Sequence, residues 1–120
     1  MQDYFPKPDI VSENLRINKV IKYVKENYRR QIKESEIAGM VGLSEAAFCR
    51  FFKKRTGWSF IGYVNEVRIR EASLLLSETE DAVAEIAYTT GFNSPNYFNR
   101  VFKRNMGMTP GEFRNNNEIN

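Results

Sequence analysis

Two stretches of this sequence, IAGMVGLSEAAFCRFFKKRTG at residues 37–57 and IAYTTGFNSPNYFNRVFKRNMG at residues 86–107, are copies of one pattern. Ile37-Ala38 and Gly42 recur as Ile86-Ala87 and Gly91, 49 positions later. Ser44, Phe48, Arg50, Phe52, Lys53 and Gly57 recur as Ser94, Phe98, Arg100, Phe102, Lys103 and Gly107, 50 positions later. The change of offset by one places an extra residue in the second copy, around Asn93. A simple helical bundle has no need for the same polar residues twice, so the repeat asks for a reason beyond packing.

Each copy has the grammar of a helix-turn-helix. Ala38 and Ala87 are small where two helices cross closely, Gly42 and Gly91 permit a tight turn with positive φ, and Phe48 and Phe98 pin the second helix to the first. At 100° per residue, Phe48, Phe51 and Phe52 group on one side of the longer helix, and Ala46, Cys49, Arg50 and Lys53 on the other. In the second copy Phe98, Val101 and Phe102 oppose Asn96, Asn99, Arg100 and Lys103. The apolar side docks and the polar side faces out.

Charge follows the same division. Arg50, Lys53, Lys54 and Arg55 against Glu45 give residues 44–57 a net +3, and Arg100, Lys103 and Arg104 give residues 94–107 another +3, whereas the whole chain carries only +3. The rest is therefore −3, so two basic segments sit on a slightly acidic body. That layout suits two local contacts with a polyanion. Arg50 and Arg100 have the planar fork that bonds guanine O6 and N7 together, and Asn96 or Asn99 can pair with adenine N6 and N7. Lys53, Lys54, Lys103 and Arg104 lie further along their helices, where they suit the phosphate backbone.

Outward from the repeat, nearly everything reads as helix. Ile17, Val20, Ile21, Val24 and Tyr28 mark a first amphipathic helix, followed by a short one around Glu34 to Val41 that starts at Lys33 without a capping side chain. Ser44 opens a third helix that Gly57 stops, and Ser59 is placed to cap a long fourth helix to Leu76 or Ser77, a buried strut with Ile61, Val64, Ala72 and Leu75. Trp58 reads as a packing residue at its start. Asp81 is placed to cap a fifth helix, Ser94-Pro95 starts a sixth that stops at Gly107, and Thr109, Pro110 and Glu112 form a capping-box start for a seventh containing Phe113. The expected class is all-α: two helix-turn-helix subdomains joined by a long central helix, about seven helices in total. Residues 1–14 read as a leader or interdomain linker, 15–57 as the first unit, 58–77 as the connecting helix, 78–114 as the second unit and 115–120 as a flexible tail.

Composition excludes much else. The 120 residues contain no His and one Cys, so His-dependent nucleophile systems, His-containing zinc sites and Cys-rich metal sites are out. No metal or cofactor is expected. A single thiol and the absence of a signal core or membrane-length apolar run fit a cytoplasmic address.

From about Ile17 to Arg114 the chain resembles the DNA-binding domain of the AraC/XylS family of bacterial transcription regulators. Ile86-Ala87, Gly91-Phe92, Ser94, Phe98, Arg100, Phe102-Lys103, Gly107, Thr109-Pro110, Phe113 and Arg114 follow that family's second-motif pattern. The resemblance implies sequence-specific binding of double-stranded promoter or operator DNA, with two recognition helices in successive major-groove segments. It places base-facing positions at Ala46, Cys49 and Arg50 in the first unit and Pro95, Asn96, Asn99 and Arg100 in the second. Phosphate contacts are expected from Ser44, Lys53, Lys54, Ser94, Lys103 and Arg104. Ala46 and Cys49 are poorer hydrogen-bonding residues than many members carry, which leaves Arg50 and apolar contact to read sequence there. The resemblance also implies RNA polymerase as a partner and an N-terminal sensor or dimerisation domain in the parent protein, with no catalytic role.

Two rival classes compete with that reading. The same basic faces would serve a helical adaptor for an acidic protein, and Cys49 invites an alkyl-acceptor enzyme, although no activating histidine is present. Arg68 and Arg70 either touch phosphate or pair with Glu66 and Glu71, with pairing or plain exposure the expectation.

Overall fold

A computed structural model describes residues 8–119, with side chains described for 11–117. Among these residues there are seven helices and no strand: α1 (Pro8–Asn27), α2 (Glu34–Met40), α3 (Glu45–Thr56), α4 (Phe60–Glu78), α5 (Val83–Thr89), α6 (Pro95–Met106) and α7 (Pro110–Ile119). The all-α expectation holds. The helices fall into two compact units, one taking the chain up to Glu26 together with Ile32–Phe60, the other Asn27–Gln31 together with Ile61 onward. The short turn after α1 thus belongs to the second unit, which the sequence boundaries at residues 57 and 78 did not anticipate.

The first unit is built on Val20, Val24, Ile37, Ala38, Val41, Phe48, Phe52 and Phe60, all buried. The Phe48, Phe52 and Phe60 rings meet with centroids 5.3 to 5.7 Å apart, two of the three pairs edge to face, an arrangement that aromatic quadrupoles favour. The second unit repeats the design with Ile86, Ala87, Phe92, Phe98, Val101 and Phe102 packed on Ile69, Ala72 and Leu76. Here the ring contacts include Phe92–Phe98, Phe98–Phe102 and Phe102–Phe113, at 5.1, 5.7 and 5.6 Å. Each fully buried phenylalanine contributes roughly 1.5–3 kcal/mol, so the paired rings fix how α3 and α6 each dock in their own unit.

Local signals set the helix ends. Ser44 and Ser94 adopt extended backbone and their Oγ atoms accept the N–H of Ala47 and Tyr97, each at 3.2 Å. Gly57 and Gly107 end the helices in the left-handed region, at φ 80° and 77°, where a side chain would be strained. At the start of α7, Thr109 N–H donates to Glu112 Oε1 and Glu112 N–H to Thr109 Oγ1, both at 3.1 Å, a complete capping box. Lys33 precedes α2 with no side-chain cap, as its chemistry requires.

Five readings need correction. The leader is helical from Pro8, because proline suits a first helical position and Arg55 reaches back to α1, hydrogen-bonding Asn14 and pairing with Glu13 at 3.6 Å; residues 1–7 lie outside the described residues. Val11 and Leu15 are exposed there, so no amphipathic period betrayed the helix. The tail is helical to Ile119, with Asn117 Nδ2 donating to Ser77 Oγ at 2.8 Å; Asn120 lies outside the described residues. Ala82, not Asp81, occupies the N-cap position of α5, with no side-chain bond. Ile61 and Trp58 are 57% and 43% exposed, so the buried face of α4 keeps the expected Val64 and Ala72 and adds Phe60, Asn65, Arg68, Ile69 and Leu76.

Candidate nucleic-acid interface

On α3, burial of Phe48 and Phe52 turns Ala46, Arg50, Lys53 and Lys54 outward into solvent. Lys53 Nζ also donates to the Gly57 carbonyl at 3.1 Å, closing the helix C-terminus. Cys49 is half-buried, and its thiol donates to Glu34 Oε2 on α2 at 2.9 Å. That hydrogen bond, burial and the negative charges of Glu34 and Glu45 push the Cys49 thiol up to about 11. The thiol is therefore fully protonated at neutral pH, the opposite of an activated acceptor, and its hydrogen is committed to Glu34.

On α6, Phe98, Val101 and Phe102 are inward and Asn96, Asn99, Arg100, Lys103 and Arg104 are exposed, with Pro95 half-buried at the first helical position. The Arg100 guanidinium lies over the Tyr97 ring, 5.6 Å from its centroid. Ser44 and Ser94 spend one lone pair each as caps, which leaves their O–H groups as donors for an anion. Both repeat-related arginines, Arg50 and Arg100, are thus surface groups on the outward face of their helices.

Four residues outside the expected DNA-contact set shape this region. Glu34 accepts the hydrogen bond of the Cys49 thiol. Arg68, read from sequence as an exposed or ion-paired side chain, is 8% exposed and donates Nε–H to the Tyr28 carbonyl at 2.8 Å and Nη2–H to the Arg30 carbonyl at 2.9 Å. Only Arg70 makes the expected ion pair, with Glu66 at 3.5 Å. Gln31 Nε2 donates to the Gly91 carbonyl at 3.1 Å and to Asn93 Oδ1 at 2.8 Å, gripping the turn that holds the extra residue just before α6. Asn65, buried on α4, donates from Nδ2 to Tyr97 Oη at 2.9 Å. The partners of Arg68, Gln31 and Asn65 lie 32 to 62 residues away in sequence, Cys49 lies 15 from Glu34, and no local pattern marks them.

A family model for a helix-turn-helix domain matches residues 37–116, spanning both copies of the repeat. The chain belongs to the AraC/XylS family of transcription regulators. Among AraC/XylS-type relatives, the transcriptional regulator GlxA of Rhizobium meliloti is 34% identical over 95 residues, covering 79% of this chain and 29% of that protein. The DNA-binding domain of the global transcriptional factor AdpA, crystallised in complex with a target DNA, has a TM-score of 0.77 at 26% identity, over 82% of this chain and 89% of that one. An AraC-type regulator from Chromobacterium violaceum shares the fold with a TM-score of 0.79 at 24% identity, over 89% and 96% of the two chains. The chain spans about a third of the length of most of the curated relatives it matches. Among the described residues no helix is long and apolar enough to cross a membrane.

Proposed function

We propose that this chain is the sequence-specific double-stranded DNA-binding part of a bacterial transcription regulator, with α3 and α6 as recognition helices in successive major-groove segments. The observation that carries this reading is the duplicated outward face: Arg50 and Arg100 occupy the same place in two separately capped helix-turn-helix units, each exposed among small, polar and cationic neighbours. Ala46, Cys49 and Arg50 face bases from α3, and Pro95, Asn96, Asn99 and Arg100 from α6. Ser44, Lys53, Lys54, Ser94, Lys103 and Arg104 hold phosphates. With its S–H hydrogen-bonded to Glu34, Cys49 offers a base only its sulfur and apolar surface, which suits a thymine methyl.

The remaining two-thirds of the relatives' length supports an N-terminal sensor or dimerisation domain in the parent protein. RNA polymerase is the further partner and the nucleoid the working location. No catalytic step is assigned, and the protonated state of Cys49 weighs against an alkyl-acceptor role.

An anisotropy titration of the chain against a duplex selected from a random library, with random duplex as reference and salt varied, tests the proposal. Tighter binding to the selected duplex is expected, with affinity falling steeply in salt. Arg50→Ala or Arg100→Ala should each lose about 1–3 kcal/mol on the selected site. Binding that ignores sequence and salt would return the basic faces to a protein-adaptor role.

A further inference from the structure

Arg50 and Arg100 are twins in the repeat, but their footings differ. Three residues before each stands Ala47 in the first unit and Tyr97 in the second. Ala47 gives Arg50 nothing to rest on beyond a methyl group. Tyr97 gives Arg100 an aromatic face, 5.6 Å from guanidinium carbon to ring centroid, within the range where a cation is held by the ring quadrupole. The ring is itself fixed. Its hydroxyl accepts from Asn65 Nδ2 at 2.9 Å, Asn65 is 4% exposed, and the Phe92 ring packs against Tyr97 at 5.9 Å.

We infer that Tyr97, anchored by Asn65, is a positioning residue that pre-orients the Arg100 fork for reading its base pair. This rests on the assignment of Arg100 as a base reader. A long arginine side chain loses much of its rotamer freedom on docking into a groove. A ring that already holds the guanidinium over its face lowers that loss and favours the bidentate geometry over a loose phosphate contact. Discrimination at the base pair read by α6 therefore depends on a residue that touches no base, whereas Arg50 must be ordered by the DNA itself.

The test measures, for a duplex selected by the wild-type chain, the affinity ratio between that duplex and variants changed at each single base pair, alongside affinity for random duplex. Arg100→Ala identifies the base pair concerned. Tyr97→Phe keeps the ring and should keep the ratio there. Tyr97→Leu removes the ring, and Tyr97→pentafluorophenylalanine keeps its shape while reversing its quadrupole; both should reduce the ratio at that pair by about 2- to 5-fold, with random-duplex affinity unchanged. Thermal unfolding of each variant separates this from misfolding, and the fluorinated ring preserves the packing if leucine does not. If Arg100→Ala loses discrimination but the fluorinated variant keeps it, the platform role is overturned and base reading by Arg100 stands. If Arg100→Ala itself changes no ratio, the reader assignment fails first and the platform with it.

Discussion

Arg68 hands its Nε–H to the carbonyl of Tyr28 at 2.8 Å, and its Nη2–H to Arg30 at 2.9 Å, while its guanidinium lies 5.7 Å from the Phe92 ring centroid. A buried arginine is thus spent on backbone carbonyls, with no carboxylate in that set of contacts. Burial pushes its pKa down from the usual arginine value, yet the group keeps its proton and its donors. Arg68→Met should expose the cost of unpaired carbonyls, roughly 1–3 kcal/mol for each. Lysine lacks the fork that spans the two acceptors, so Arg68→Lys should restore less than half of the loss in urea unfolding. Full rescue by lysine would show that charge alone matters at this site.

Gly91 lies under the same turn. Its φ is +102°, and a Cβ there would collide with the Tyr28 carbonyl oxygen and stand 2.8 Å from Arg68 Nε. Gly42, its counterpart in the first unit, has φ +74° and open space around the same position. Gly42→Ala should cost only the conformational strain of a left-handed alanine, about 1 kcal/mol. Gly91→Ala must also displace a backbone carbonyl and should be at least twice as destabilising. Equal midpoint shifts for the two variants in chemical unfolding would contradict the close approach.

These contrasts explain what was legible in the sequence. The serine caps and glycine stops of α3 and α6 and the Phe48/Phe98 and Phe52/Phe102 anchors depend on neighbours within about four residues and could be read, whereas the Asp81 cap expected for α5 was not formed. The outward placement of Arg50 and Arg100 followed from helical period alone. Arg68, Gln31 and Asn65 could not be read, because their partners are a carbonyl or side chain 32 to 62 positions distant. The first turns of α1 were missed for a related reason: Arg55 secures them through Glu13 and Asn14, while Val11 and Leu15 face solvent. The repeat showed that two turns exist but not that Gln31 grips the second.

Cys49 should be a slow thiol. With its pKa pushed up to about 11 by the Glu34 hydrogen bond, then burial and charge, it offers roughly a hundredfold fewer thiolates at neutral pH than an ordinary cysteine. Glu34→Gln removes the charge and the strongest acceptor, so alkylation by iodoacetamide at pH 8 should accelerate at least several-fold. The fold retains this proton more strongly than the unfolded chain does. Its stabilising contribution is therefore complete below the ordinary thiol value near 9.0 and lost as pH rises through about 11. An unchanged alkylation rate in Glu34→Gln would remove Glu34 as the cause.

Glu112 shows the opposite sign. The Thr109 N–H first, its hydroxyl next and the charge of Lys103 after them hold the Glu112 carboxyl below its usual value. The resulting stability is present above the ordinary carboxylate pKa and disappears as pH falls through the lower folded value. Glu112→Gln keeps an oxygen to accept from Thr109 but cannot titrate. Its unfolding midpoint should follow wild type at neutral pH and depend less on pH at the acid end. An identical acid limb in the two proteins would assign that limb to other carboxylates.

Lys103 and Arg100 stand one turn apart on α6, and both are exposed, yet they should fail differently when truncated. A lysine on phosphate contributes by releasing condensed counterions, a term independent of sequence. Lys103→Ala should therefore weaken binding to selected and random duplexes by the same factor and make the plot of log affinity against log salt shallower by about 0.9. Arg100→Ala should lower affinity on the selected duplex far more than on the random one, with a smaller change in slope. Lys54 on α3 is exposed like Lys103, and Lys54→Ala should follow the Lys103 pattern. Lys53→Ala should add a loss of stability, because its Nζ also closes the Gly57 carbonyl. If Lys103→Ala removed preference for the selected duplex while leaving the salt slope intact, Lys103 would move from the phosphates to a base edge, and the division of labour along α6 would have to be redrawn.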